Sequence, residues 1–184
     1  MGMKSCILLH MKKRSLLFWD LQAKGYSKQP VADEAAYQKK LEKTQEYFHL
    51  DSEVFEFGCG TGSTAIRHAP FVKHILAIDG SVKMIEIAQK KARSAQIENI
   101  TFEKETIDIF SSPKESYNVV LGMNILHLVK NKEGVISQVY DMLKPGGVFI
   151  SSTVCLRNTS IFFTLLSKVG GIVGLTLRLF TKEE

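Results

Sequence analysis

A chain of 184 residues, 45% apolar and 23% charged, has the size and balance of one soluble globular domain with a substantial core, which excludes a disordered or fibrous protein. Its formal net charge of +5 is unevenly spread: residues 1–50 hold nine Lys/Arg against five Asp/Glu, and the remainder 15 against 14. An excess confined to a solvated N-terminal segment argues against an enzyme that acts on nucleic acid.

Residues 1–17 read as an N-terminal extension without fixed structure, and 18–158 as the domain. The apolar run from Cys6 to Leu9 is too short for a secretory signal core, and no small-residue cleavage site follows it. Strand and helix signals alternate from Val31 onward, the pattern of a parallel α/β sheet. Residues 33–48 are predicted as a helix with Ala36, Tyr37, Leu41, Thr44 and Phe48 on one side. A buried strand over 53–57 breaks into a glycine loop, and a helix follows to about His68. The second strand, 74–78, ends at Asp79. Ser81 then caps a helix in which Ile85, Ala88, Ala92 and Ala95 share a face, with Glu86 and Lys90 as an outer i,i+4 pair.

Residues 99–102 and 117–121 are predicted as the third and fourth strands. A helix over 132–143 is closed by Lys144-Pro-Gly-Gly147, and 148–153 is the fifth strand. Residues 159–184 read as an apolar, helical, lid-like segment. Lys168 and three glycines within 161–180 disfavour a stable membrane span. The final Thr181-Lys-Glu-Glu184 is a capping box with no helix after it, so the chain is expected to be truncated or naturally short, and to associate with copies of itself through this segment.

Three widely separated cysteines, Cys6, Cys59 and Cys155, give neither a disulfide framework nor a paired metal spacing. A reducing, cytoplasmic setting and no metal site are therefore expected. The chemistry lies elsewhere, in Val54-Phe-Glu-Phe-Gly-Cys-Gly-Thr-Gly62. Glycines after a buried strand let the chain turn tightly and let a ligand reach bare amides at a helix start. A dinucleotide fingerprint would need its third glycine at position 63, which is Ser63; here it comes one residue early. That spacing disfavours an NAD-dependent oxidoreductase.

With Glu56 two residues ahead of the first glycine, Glu-x-Gly-x-Gly-x-Gly resembles motif I of the class I S-adenosylmethionine (SAM)-dependent methyltransferases. The resemblance extends over roughly residues 18–153 and is nearest to small-molecule members of the kind that includes the ubiquinone-biosynthesis methyltransferases. It implies a Rossmann-like, doubly wound, mostly parallel sheet of the seven-strand type, here without its C-terminal hairpin. It also implies a nucleoside cofactor, SAM, held by Glu56, Gly58, Cys59, Gly60 and Gly62. Asp79, at the end of strand two, would accept both ribose hydroxyls, with Gly80 and Met84 beside it. Thr106 and Ile107 would flank the adenine, with Glu105 or Asp108 as alternative acceptors from its amino group. Met123 and Asn124 would lie beside the methionine part, and Tyr26, in the arm Phe18-Trp-Asp-Leu-Gln-Ala-Lys-Gly-Tyr26, would fold over the cofactor; Phe18 and Trp19 would either do the same or staple the N-terminal helix onto the sheet.

Asn118 stands where the family usually has Asp, at a position that is mainly structural. The exit loop after strand four has neither the Asn/Asp-Pro-Pro-aromatic signature of amine-methylating enzymes nor a nucleophilic cysteine, so nucleic acid is not expected; with the lid-like tail apolar, a small, apolar acceptor is. His127 is the candidate general base, weighed against a histidine packed on the core at a helix start. A SAM- or S-adenosylhomocysteine-binding protein without catalysis is the alternative function.

Overall fold

The computed structural model describes residues 3–153, with side chains from residue 15 onward. The chain opens with α1 (Met3–Tyr26) and α2 (Glu34–Gln45). It continues with β1 (Glu53–Phe57), α3 (Ser63–His68), a 3₁₀ turn (Ala69–Phe71) and β2 (His74–Asp79). After α4 (Val82–Ser94) come β3 (Ile100–Lys104) and β4 (Tyr117–Met123). A second 3₁₀ turn (Leu126–Leu128), α5 (Lys132–Met142) and β5 (Leu143–Ser152) complete the described part.

All five strands are parallel, in the order β3-β2-β1-β4-β5. The chain builds outward from β1 to β3, then crosses back to lay β4 on the other side of β1. That reversal makes a crevice above the C-terminal ends of β1 and β4, the place where Rossmann-like sheets bind ligands.

Alternation along β1 divides the core into two layers. Val54 faces Ile75, Ala77, Val119 and Leu121, together with Ala65 of α3 and Ala88 of α4. Phe55 and Phe57 face Val120 and the Val135, Val139 and Met142 stripe of α5. The Phe55 ring stacks on Phe110 at 4.6 Å and on Tyr117 at 5.2 Å between centroids. Each such side chain, taken fully out of water, contributes roughly 1.5–3 kcal/mol. These two layers hold β1 rigid, so the loop that leaves it starts from a fixed point.

Local caps set the helix starts. Asp33 accepts a hydrogen bond from the Ala36 amide at 2.9 Å, and Ser81 accepts one from Met84 at 3.1 Å, as its sequence predicts. Asn118 acts structurally too: its Oδ1 accepts from the Glu53 amide and from Lys144 Nζ, both at 2.9 Å. An amide oxygen supplies the same acceptor that a carboxylate would.

The structure departs from the predicted elements at four places. Helix α1 runs without a break through the boundary expected at residue 18, and Leu16 packs where a Cβ on Gly80 would stand, 2.5 Å from its Cδ2. Glu86 pairs with Lys83 at 2.7 Å instead of with Lys90, since i,i+3 neighbours share a helix face as i,i+4 neighbours do. Ala95 is exposed, because α4 ends there and its amide turns back to Lys91. Leu143 leaves α5 to pair with Tyr117, and residues 144–147 loop out before Val148 meets Val119. The expected lid over 159–184, Cys155, and the oligomerisation assigned to that segment lie outside the described residues. Among the described residues no helix is long and apolar enough to cross a membrane.

Candidate functional site

The three glycines after β1 all take positive φ, Gly58 at 68°, Gly60 at 55° and Gly62 at 72°, but for different reasons. A Cβ on Gly58 would lie 2.5 Å from Ile125 Cγ1, and one on Gly62 would lie 2.8 Å from the Ala88 Cβ and 2.9 Å from the Phe102 ring. A Cβ on Gly60 would meet nothing within 4 Å. Gly58 and Gly62 therefore let the loop pack, whereas Gly60 leaves open space above the backbone.

Asp79 ties the loop to β2. One carboxylate oxygen accepts from the Gly60 amide and the other from the Ser81 amide, each at 2.9 Å. Burial raises its pKa, against the lowering effect of those two bonds. From α4, Lys91 Nζ donates to Thr61 Oγ1 at 2.9 Å and to Ser63 Oγ at 3.0 Å, bracing the other side of the loop. Beyond β3, the Glu105 amide donates to the Asp79 carbonyl, and Thr106 lies beside Gly80. After β4, Asn124 adopts φ 55° and its amide donates to the Ser152 carbonyl at 2.8 Å.

These parts surround one cavity of about 1100 Å³. Glu56 lies in its wall at 2% exposure, and its Oε2 has no hydrogen-bond partner. Burial raises the Glu56 pKa to about 8, opposed by the charge of Lys40. Cys59 is a buried free thiol whose pKa is pushed well up by burial, so it stays protonated and is a poor nucleophile. Trp19 and Tyr26 of α1 reach the cavity, edge to face at 6.3 Å.

Of the residues predicted for the site, Tyr26, Glu56, Gly58, Cys59, Gly60 and Asp79 line this cavity. So do Gly80, Met84, Thr106, Ile107, Met123 and Asn124, with Glu105 and Asp108 beside them. Two do not. Gly62 lies beneath the loop, in the contact of α3 with α4 and β3. His127 belongs to the 3₁₀ turn, where residues three apart eclipse; Ile125 and Leu128 face the cavity and His127 does not. Its Nδ1 is buried without a partner, and burial, then Lys132, lowers its pKa. Sequence reasoning missed Lys40 and Lys91. For Lys40 a signal was present: it shares the buried side of α2 with Tyr37, Leu41 and Thr44, where a charge is out of place.

A parallel sheet in this order, with a glycine cradle and an acidic strand end at its switch point, defines a Rossmann-like domain for a nucleoside cofactor. Residues 49–169 match a methyltransferase domain family, more than half of the chain, and the protein belongs to that family. It is 25% identical over 100 residues to the uncharacterized methyltransferase YcgJ of Bacillus subtilis, covering 54% of this chain and 40% of that protein. The crystal structure of YcgJ superposes with a TM-score of 0.66 over 79% of this chain and 64% of the other, at 18% identity. A ubiquinone biosynthesis O-methyltransferase of Coxiella burnetii is 24% identical over 61% of this chain and 48% of its own length. An S-adenosylmethionine dependent methyltransferase from Mesorhizobium loti superposes with a TM-score of 0.57 at 26% identity, over 65% of this chain and 54% of that one. The chain thus spans about half the length of the curated relatives it matches.

Proposed function

We propose that the protein is a methyltransferase that moves the methyl group of S-adenosylmethionine to a small acceptor by in-line displacement. The observation that carries this reading is the orphaned Oε2 of buried Glu56, in the same cavity wall as the open face of Gly60. A buried acceptor without a partner is costly, and a ligand that brings a cationic donor removes the cost. The methionine end of SAM has such a donor, its ammonium group.

The remaining residues fit the rest of the molecule. Asp79 spends one lone pair of each oxygen on a backbone amide and keeps others for ribose hydroxyls. Thr106 and Ile107 offer flanking contact to the adenine. Met123 and Asn124 bound the methionine side, and Tyr26 covers the site from α1. When bound, SAM supplies a methyl group already activated on a sulfonium. The protein then needs chiefly to orient the acceptor, and orientation can lower such a barrier by ~7–11 kcal/mol. With His127 turned away from the cavity, positioning rather than a histidine base is the contribution we assign to the chain.

Val31, Ala32, Ala36, Leu128 and Val129 also line the cavity, which supports a partly apolar acceptor. The name of the Coxiella relative, a ubiquinone biosynthesis O-methyltransferase, supports a small-molecule acceptor. A buried free thiol at Cys59 supports a reducing, cytoplasmic setting. Incubation with methyl-labelled SAM and fractionated small-molecule extract is the test. Label is expected in one low-mass fraction. S-adenosylhomocysteine binding with no transfer to any fraction would favour a binding protein without catalysis.

A further inference from the structure

Helix α1 turns one side to the domain and the other to solvent. On the inner side Leu16 packs over Gly80, Trp19 stands in the cavity wall, Ala23 is buried, and Asp20 accepts from Ser81 Oγ and the Lys83 amide. On the outer side Leu17 is 58% exposed and Leu21, one turn on, 74%. At about 3.6 residues per turn, His10, Lys13, Arg14, Leu17, Leu21 and Lys24 fall on one stripe of this helix. Within Met3–Tyr26 the sequence holds five Lys/Arg against a single acid. That acid is Asp20, already engaged by α4, so the outer stripe has apolar and cationic positions and no carboxylate. Lys24 and the following Lys28 are exposed and pair with no carboxylate among the described residues.

Leucines interleaved with cations match the boundary of an anionic bilayer, where acyl chains cover the leucines and head groups meet the charges. A second copy docked through the same stripe would set like charges against each other. A nucleic acid would meet the cations but leave Leu17 and Leu21 without apolar cover. Among the described residues no helix is long and apolar enough to cross a membrane, and a helix of this charge lies on the surface instead.

We propose that the outer stripe of α1 is a docking surface for anionic lipid membranes, with Leu17 and Leu21 at the acyl boundary and the basic positions among the head groups. Tyr26 and Val31, both exposed at the cavity rim, follow directly on the docked helix, so the mouth of the cavity is held at the lipid surface. An apolar acceptor dissolved in the bilayer then reaches the cavity without crossing water. This last step rests on the methyltransferase reading; the docking itself does not.

The test is flotation of the full chain with phosphatidylcholine vesicles, with and without phosphatidylglycerol. It compares the parent with the double variants Leu17→Ser/Leu21→Ser and Lys13→Gln/Arg14→Gln, each checked for folding by circular dichroism. The parent is expected to float only with the phosphatidylglycerol vesicles and to be released by raised salt. Each double variant should bind them roughly tenfold more weakly or worse, the first through lost apolar burial and the second through lost charge. No flotation of the parent, or equal flotation of parent and both variants, would overturn the proposal. So would flotation that ignores both phosphatidylglycerol and salt, or retention by single-stranded RNA without flotation, which assigns the stripe to nucleic acid. If the leucine variant does not fold, the Lys13→Gln/Arg14→Gln protein decides: weakened flotation supports the docking surface, and unchanged flotation contradicts it. Flotation is measured without SAM, so a protein that floats but transfers no methyl group refutes the enzyme and leaves the docking standing.

Discussion

At the scale of single residues, the glycine loop separates binding from folding. Gly60→Val puts a branched side chain into the open space above the loop at positive φ, and is expected to abolish S-adenosylhomocysteine binding with a near-native circular dichroism spectrum. Gly62→Ala acts underneath, against Ala88 and Phe102, and is expected to cost ~1–3 kcal/mol of stability by thermal unfolding. Asp79→Ala removes the acceptor for the Gly60 and Ser81 amides as well as the expected ribose contacts, so affinity should fall at least about tenfold. Unchanged affinity would contradict the ribose assignment. That Glu56, Gly60 and Asp79 would face one cavity was legible because strand end, spacing and residue type all point one way. That Gly62 and His127 would lie outside its wall was not. Spacing alone does not tell which side of a turn faces the ligand, and that side is set by α4 and by the 3₁₀ turn.

At the scale of elements, the arm α1 is strapped to the start of α4. Asp20 accepts from Ser81 Oγ at 2.5 Å and from the Lys83 amide at 3.1 Å. The same helix places Leu16 over Gly80 and Trp19 in the cavity wall. Asp20→Ala loosens this strap but keeps the Ser81 cap of α4, so it should cost about 1 kcal/mol of stability and speed S-adenosylhomocysteine release. Trp19, the single tryptophan of the chain, reports the event by stopped-flow fluorescence. A release rate equal to that of the parent would show that α1 does not cover the cofactor. The sequence reveals the aromatic arm of residues 18–26, but not its anchor, which joins residues 61 apart. It also reveals the start and end of β1, since a buried apolar run and a glycine break coincide there.

At the scale of the whole molecule, two buried groups with large shifts shape the pH dependence of the ligand-free protein. Glu56 ionises near its ordinary 4.5 when unfolded but near 8 when folded, so the folded state keeps a proton that the unfolded chain has lost. Stability therefore falls as pH rises through that window. His68, fully buried, is held down to about 4 by burial and then by Lys40, so the unfolded chain binds more protons below 6.5 and stability rises with pH there. The slopes of these two groups oppose each other up to about pH 6.5, and above it the fall due to Glu56 is no longer offset by His68. The midpoint of thermal unfolding should be nearly flat over the lower range and drop by several degrees toward pH ~8, with Glu56→Gln removing the drop. A drop of the same size in that variant would contradict the assignment.

The sheet order was legible as a class, because alternating strand and helix signals with a glycine break allow few topologies. The loop-out of residues 144–147 was not, since it depends on pairing with β4. The central claim is that the cavity at the switch point holds the methionine nucleoside and not a dinucleotide. Isothermal titration of the protein with S-adenosylhomocysteine and, separately, with NAD tests it most directly. Saturable one-to-one binding of S-adenosylhomocysteine, lost in Gly60→Val, with no heat from NAD, is the expected result; NAD binding, or equal S-adenosylhomocysteine affinity in Gly60→Val, would contradict the account.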